Sequence, residues 1–276
     1  MSEKTVSTVP APVYTLGSSP AERERLGRQA DDLLPHALAL VDRVGLQPGA
    51  YALDLGCGPA GALELLSQRV GPTGRVVGVD VHPAHAALAR KMVVERRLDN
   101  VEVIEGDARG TGLPSAAFDV VHARLLLVNI PDPEAVIAEM ERLVKPGGWV
   151  ILDEADGGAH ICFPPLAAWD RITEIFQDGF RADGADLMIG RKLTKLLLDA
   201  GLTDVGTDGR ADVYPASHPR RTIIAELVQS MRDKLVQRGI ASFAELERID
   251  GEVRHHLADP ATVTMSCLYF LAWGRK

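Results

Sequence analysis

The stretch Tyr51-Ala52-Leu53-Asp54-Leu55-Gly56-Cys57-Gly58-Pro59-Ala60-Gly61 constrains this chain more than any other. Its alternating apolar residues read as a buried parallel strand, which breaks into a glycine-rich turn and then a helix over 62–70. Gly56 and Gly58 lack Cβ atoms, so the backbone can turn sharply there and let a ligand press against it. The N-terminus of the helix offers free N–H groups and a partial positive charge, so that ligand is expected to be polar or anionic at the point of contact.

The same alternation of strand and helix continues downstream. A second buried strand over 75–80 ends in Asp80, and an amphipathic helix over 83–98 leads to a third strand over 101–105, which ends in Gly106-Asp107-Ala108. A fourth strand over 118–123 and a fifth over 149–153 follow, the latter preceded by Pro146-Gly147-Gly148. Beyond it the pattern predicts helices over 166–180, 190–200, 219–238 and 242–257. A sixth strand is expected over 202–214, weakened by Gly206 and Gly209, and a last one over 262–274. Ahead of the first strand, Ser19-Pro20-Ala21-Glu22 reads as a capping box opening a helix that Pro35 breaks, and 37–44 reads as a second helix closed by Gly45. Strands alternating with helices in this way predict a doubly wound α/β sheet.

Gly56-x-Gly58-x-x-Gly61 also fits the dinucleotide-binding fingerprint, and Asp54 speaks against that use. It sits two residues before the first glycine, where a carboxylate would repel a pyrophosphate but attract an ammonium or sulfonium group. Asp80, 24 residues after Gly56, stands where an acid can accept both hydroxyls of a ribose. Hydrogen bonds to a charged group contribute roughly 1.5–3 kcal/mol each, so Asp80 is expected to dominate affinity. His82 either lines the same rim or is an ordinary surface residue. Tyr14, in the turn Tyr14-Thr15-Leu16-Gly17, is either a packing anchor or a lid residue.

The pattern Leu53-Asp54-Leu55-Gly56-Cys57-Gly58 resembles the first motif of the class I S-adenosylmethionine-dependent methyltransferases. The strand over 118–123 and the Pro-Gly-Gly turn resemble later motifs of that family, so the resemblance covers about 46–154. It is closest to the small-molecule branch that includes quinone-biosynthesis enzymes. The resemblance implies a Rossmann-like, mostly parallel sheet of seven strands, with S-adenosyl-L-methionine as cofactor and S-adenosyl-L-homocysteine as product. It implies that Asp107 accepts from the adenine N6 amine, while the backbone N–H beside it, at Ala108, meets a ring acceptor. Tyr14, Asp54, Gly56, Gly58, Asp80, His82, Asp107, Ala108 and Arg124 form the expected cofactor set. Relatives are expected to carry a His near Asn129, which this chain lacks.

Segments outside the resemblance are expected to build a lid: an N-terminal arm with cap helices over 1–45, then insertions at about 156–190 and 215–260 within a methyltransferase domain of 46–276. They contribute Leu166, Trp169, Phe176, Phe180 and Met188, which suit a mid-sized, largely apolar acceptor. His160 is the first candidate base, with Asp156 and His122 as alternatives. No Asn-Pro-Pro-aromatic motif follows the fourth strand, which speaks against nucleic-base amines, and no acidic cluster there resembles a catechol-type metal site. The competing readings are a cyclase of this fold that keeps the cofactor without transferring methyl, a nicotinamide-dependent oxidoreductase, and a non-catalytic cofactor-binding protein.

Composition limits the partners. The net charge of −8 over 276 residues argues against a broad nucleic-acid or anionic-membrane footprint. Cys57, Cys162 and Cys267 are odd in number and without metal spacing, which fits a reducing compartment. The polar start lacks a signal-peptide core, and the longest apolar run, 267–273, is far short of the roughly 18 residues of a membrane span. The expectation is a cytoplasmic protein with a small-molecule substrate, no metal, no nucleic acid and no membrane span; its assembly, with a homodimer the one to test, is not written in the sequence.

Overall fold

The structure is a computed structural model that describes residues 20–59, 61–265 and 267–276, the side chains of 20–24 excepted. In chain order the helices are α1 (Pro20–Asp32), α2 (Leu34–Val44), α3 (Leu63–Val70), α4 (Pro83–Glu95), α5 (Pro133–Leu143), α6 (Ala167–Ala182), α7 (Leu193–Asp199), α8 (Ile223–Gln237) and α9 (Phe243–Ala258). The strands are β1 (Tyr51–Leu55), β2 (Arg75–Asp80), β3 (Val101–Glu105), β4 (Phe118–Arg124), β5 (Val144–Asp156), β6 (Ile161–Phe163), β7 (Thr203–Ala211), β8 (Val263–Met265) and β9 (Leu268–Arg275).

One seven-stranded sheet has the order β3-β2-β1-β4-β5-β9-β7. β1 pairs in parallel with both β2 and β4, and β9 runs antiparallel to both of its neighbours, β5 and β7. The period-2 alternation of the strands divides the core in two. Ala52, Val76, Val120 and Ile151 pack with α2, α3 and α4, whereas Leu53, Val77, Val121 and Leu152 pack with α5 to α9. Both faces of the central strands are therefore covered, which is why their sequences are almost wholly apolar. Strand order reverses between β1 and β4, and a ligand crevice is expected outside the carboxyl ends at such a switch point.

Several details depart from the sequence expectation. Pro35 does not merely break a helix; it lies in the first turn of α2, where its missing N–H costs no intrahelical bond. The last strand divides in two: β8 pairs with β6 in a separate two-stranded sheet, and β9 enters the main sheet. A chain segment that serves two sheets shows no break in apolar pattern, so the sequence reads as one strand. Gly206 does not weaken β7. An added Cβ there would lie 2.3 Å from the Trp273 ring, so the missing side chain makes room for the indole. Among the described residues no helix is long and apolar enough to cross a membrane.

The loop after β3 is held from α5. Glu139 accepts from the Thr111 backbone N–H at 2.8 Å, from its hydroxyl at 2.6 Å, and from the Arg142 guanidinium at 2.7 Å. The bonds from Arg142, aided by those from Thr111 and opposed by burial, lower the carboxyl from its usual 4.5 to about 2. A depressed carboxyl stabilises the fold fully above pH 4.5, and that contribution disappears as pH falls toward 2. Glu139→Gln is expected to lower the urea midpoint at pH 7, with the gap from wild type closing between pH 4.5 and 2. A gap independent of pH across that window would contradict the ionised network.

Candidate active site

A cavity opens at the carboxyl ends of the central strands. Its wall includes Asp54, Gly56 and Gly58 from β1 and its turn, Asp80 and His82 from β2, Asp107 and Ala108 after β3, and Arg124 from β4. These are the expected cofactor residues other than Tyr14, which lies outside the described residues.

Asp54 is 1% exposed, and both of its oxygens have protein partners. Oδ2 accepts the Ala62 N–H at 2.9 Å at the start of α3, and Oδ1 lies 2.7 Å from His122 Nδ1 on β4. Gly61 leaves the space for this: a Cβ there would fall 2.6 Å from Asp54 Oδ2, at a φ of +27°. The turn glycine Gly58 has a φ of +57° and nothing within 4 Å of an added Cβ, so the wall is open beside it. Asp80 accepts from the Gly58 N–H at 2.9 Å and from the His82 N–H at 2.8 Å, which fixes its carboxylate at the rim. Each carboxylate oxygen carries two lone pairs, so capacity for a ligand's hydroxyls remains. Arg124 donates to the Gly61 carbonyl at 3.1 Å and ties the end of β4 to the glycine turn.

Electrostatics refine the roles. Burial, with Asp54 and Asp80 nearby, pushes the Cys57 thiol well up, so this wall residue is a neutral thiol and not a nucleophile. Arg109, two residues on, donates through Nε to Asp107 Oδ1 and through Nη2 to Oδ2, and lowers its carboxyl.

The loop after β4 forms another part of the wall. Leu125 has a φ of +49°, unusual for a leucine, and it is held by the bond of its N–H to the Asp153 carbonyl and that of its own carbonyl to Asn129 Nδ2, at 2.8 Å. Asn129, where a family His is expected, thus braces the loop. From beneath, the fully buried Glu154 accepts the N–H groups of Leu126 and Leu127 at 2.8 Å on Oε1, and that of Val128 at 3.2 Å on Oε2. Burial outweighs these bonds and pushes the Glu154 carboxyl up to about 8.

The candidate bases fare differently. Asp156 is 1% exposed, lies outside the cavity wall and is gripped by Arg191 through two hydrogen bonds, the one to Oδ1 at 2.8 Å. That pairing makes it a brace for the turn at Gly157 and Gly158. His160 is likewise absent from the wall. His122 is fully buried against Asp54. His218 caps the turn that carries Arg220, and His256 contacts the Pro164 carbonyl. Sequence reasoning missed Arg25, Arg220, Cys267 and Tyr269, all on the wall. Arg220 and Arg221 look like a solvated basic pair in the sequence, yet they are 5% and 4% exposed. Among the described residues no cluster suits a metal ion.

Residues 53–152 match the family described as the methyltransferase domain. A demethylmenaquinone methyltransferase of Halalkalibacterium halodurans is 38% identical over 180 residues, covering 59% of this chain and 71% of that protein. Nocamycin O-methyltransferase of Saccharothrix syringae is 39% identical over 114 residues, covering 41% of each chain. The chain spans about half the length of several curated relatives it matches. Haemonchus contortus phosphoethanolamine N-methyltransferase 2, solved with S-adenosyl-L-methionine, shares the fold at a TM-score of 0.57 and 19% identity, over 88% of this chain and 52% of that one. The chain belongs to the class I S-adenosylmethionine-dependent methyltransferase family.

A carboxyl raised to about 8 leaves Glu154 protonated in the fold at pH values where it is ionised in the unfolded chain. Its contribution therefore lowers stability as pH rises from about 4.5 to 8 and is flat above. Glu154→Gln, neutral throughout, is expected to unfold with a shallower decline over that window, read as the difference between the two pH–stability curves. Parallel curves would mean that Glu154 is ionised in the fold.

Proposed function

We propose that the protein binds S-adenosyl-L-methionine in this cavity and transfers its methyl group to a small, largely apolar metabolite. The observation that carries the reading is the alignment of Asp54, Asp80 and Asp107 at successive strand ends around one glycine turn. Asp80 would hold the ribose hydroxyls, and the Asp107–Ala108 loop the adenine edge, with Arg109 keeping the carboxylate ionised. Asp54 would present negative charge to the ammonium and sulfonium end while holding the turn in shape. The open wall at Gly58 fits a ligand lying against the backbone, and three carboxylates are a poor setting for the pyrophosphate of a nicotinamide dinucleotide. Bound there, the cofactor would supply an electrophilic methyl group to the acceptor atom, its sulfur keeping the electron pair of the broken carbon–sulfur bond and leaving as S-adenosylhomocysteine.

The chain's own task is then orientation and exclusion of water. Leu26 and Ala30 of α1, Phe176 and Phe180 of α6, and Ile223 and Leu227 around α8 supply an apolar wall. α1 and α2 act as a cap, and the insertions of 156–190 and 215–260 as a lid that closes over the acceptor. An ion pair of Arg28 with Glu226 at 3.4 Å links α1 to α8 across that lid. With Asp156 committed to Arg191, a proton leaving a hydroxyl acceptor has no route through that carboxylate. The relatives named for demethylmenaquinone and nocamycin support an acceptor from quinone or natural-product metabolism.

Calorimetric titration of S-adenosylmethionine, S-adenosylhomocysteine and NAD separates the readings. Both adenosyl compounds are expected to bind at micromolar concentrations and NAD not to bind. Asp80→Ala is expected to weaken the adenosyl compounds at least about tenfold, given roughly 1.5–3 kcal/mol per charged hydrogen bond lost. Unchanged affinity in a folded variant would remove the ribose assignment, and binding of NAD alone would remove the methyltransferase reading.

A further inference from the structure

The cavity has a second polar region, which the proposed cofactor placement would leave unused. Arg220, at the foot of α8, lines the wall and is 5% exposed. Its Nη2 donates to the Tyr269 hydroxyl at 2.5 Å, while Nε and Nη1 have no hydrogen-bond partner among the described residues. The carboxylate paired with it, Asp32 Oδ2, is 3.7 Å from Nη1, beyond hydrogen-bond reach. Tyr269, itself 3% exposed, also lines the wall, and burial raises its phenol well above the ordinary value, so it is a neutral hydroxyl. A buried guanidinium with donors left over is costly, since charge in an apolar wall is tolerated only when paired and hydrogen-bonded.

Topology separates this group from the acids. Tyr269 on β9 lies opposite Ala155 at the carboxyl end of β5. β9 is three strands from β1 in the sheet, which is roughly 14 Å at the usual strand spacing. One end of the chamber is thus lined by Asp54, Asp80 and Asp107, and the other presents Arg220 amid Ile223, Ile224, Phe176 and Leu227. Arg25, 4% exposed and bonded to Gln29, adds a second guanidinium to the same wall.

We infer that Arg220, with Tyr269, is the binding site for an oxyanion of the acceptor, a carboxylate, phenolate or enolate carried on an apolar body. The planar fork of the guanidinium suits two oxygens or one oxyanion held beside the Tyr269 hydroxyl. The apolar surroundings raise the value of that pairing, because little water competes. The inference deepens the methyltransferase reading by naming the chemistry of its acceptor.

The test compares anions with neutral molecules of like shape: 2-naphthoate against 2-naphthamide, and 4-nitrophenolate against 4-nitroaniline. Binding to wild type, Arg220→Met and Arg220→Lys is measured at pH 8 with and without S-adenosylhomocysteine. Wild type is expected to favour at least one anion tenfold or more over its neutral partner, and the favoured one tells carboxylate from phenolate. Arg220→Met is expected to lose the preference while binding S-adenosylhomocysteine within about twofold of wild type, and Arg220→Lys to keep part of it. Equal affinities within both pairs in wild type overturn the inference even if the Met variant fails to fold, as does a preference that survives in that variant. Failure of wild type to bind S-adenosylhomocysteine would instead count against the methyltransferase reading, and the anion comparison would still be readable.

Discussion

A buried carboxylate holds the site together. Asp54 joins the start of α3 through the Ala62 N–H and the neighbouring strand through His122, at the point where strand order reverses. A carboxylate this deep is tolerated only because each oxygen has a partner. The arrangement sets the path of the glycine turn, and the turn sets where Gly58 meets Asp80. Gly61 belongs to the same constraint, because any side chain there would collide with the carboxylate. The motif is therefore one mechanical unit: acid, turn and helix start are fixed together.

The chamber built on that unit is polarised. Its acidic end, made by strand termini, is rigid because each carboxylate is anchored by backbone or guanidinium donors. Its other end is made by helices and by β9, and there Arg220 and Tyr269 share the wall with apolar side chains such as Ile223, Ile224 and Leu227. A zwitterionic sulfonium at one end and an apolar acceptor bearing an oxyanion at the other would each meet opposite charge. Interactions of this kind orient reactants at little cost at the moment of reaction. Beneath the wall, the Asp153 carbonyl and Asn129 hold Leu125 in a left-handed conformation while Glu154 anchors the N–H groups of the next three residues, so the loop between the two ends keeps its shape.

The sheet half of this architecture was legible because its signals are local. Buried runs, a glycine turn and acids at strand ends repeat at short spacing, and each element's residues carry their own reason for the fold. Other features depend on distant partners. β6 and β8 are three residues each and exist by pairing across about a hundred positions of sequence, so neither has a pattern of its own. Arg220 looks like a surface residue until β9 brings Tyr269 to it. Asp156 is an alternative base in the sequence, and only the fold reveals that Arg191 occupies it. The pairing of Asp107 with Arg109 is hidden too, because a guanidinium two residues away gives no sign of folding back. Local pattern thus reveals the acidic end of the chamber, while the end around Arg220 is assembled from side chains far apart in sequence.

The most direct measurement is a crystal structure of the protein with S-adenosylhomocysteine. The expected density places the ribose against Asp80, the adenine along the Asp107–Ala108 loop and the amino acid end beside the glycine turn near Asp54, leaving the region of Arg220 open. Density for the ligand elsewhere, or a ribose turned away from Asp80, would contradict the assignment of this cavity and with it the division of the chamber into two ends.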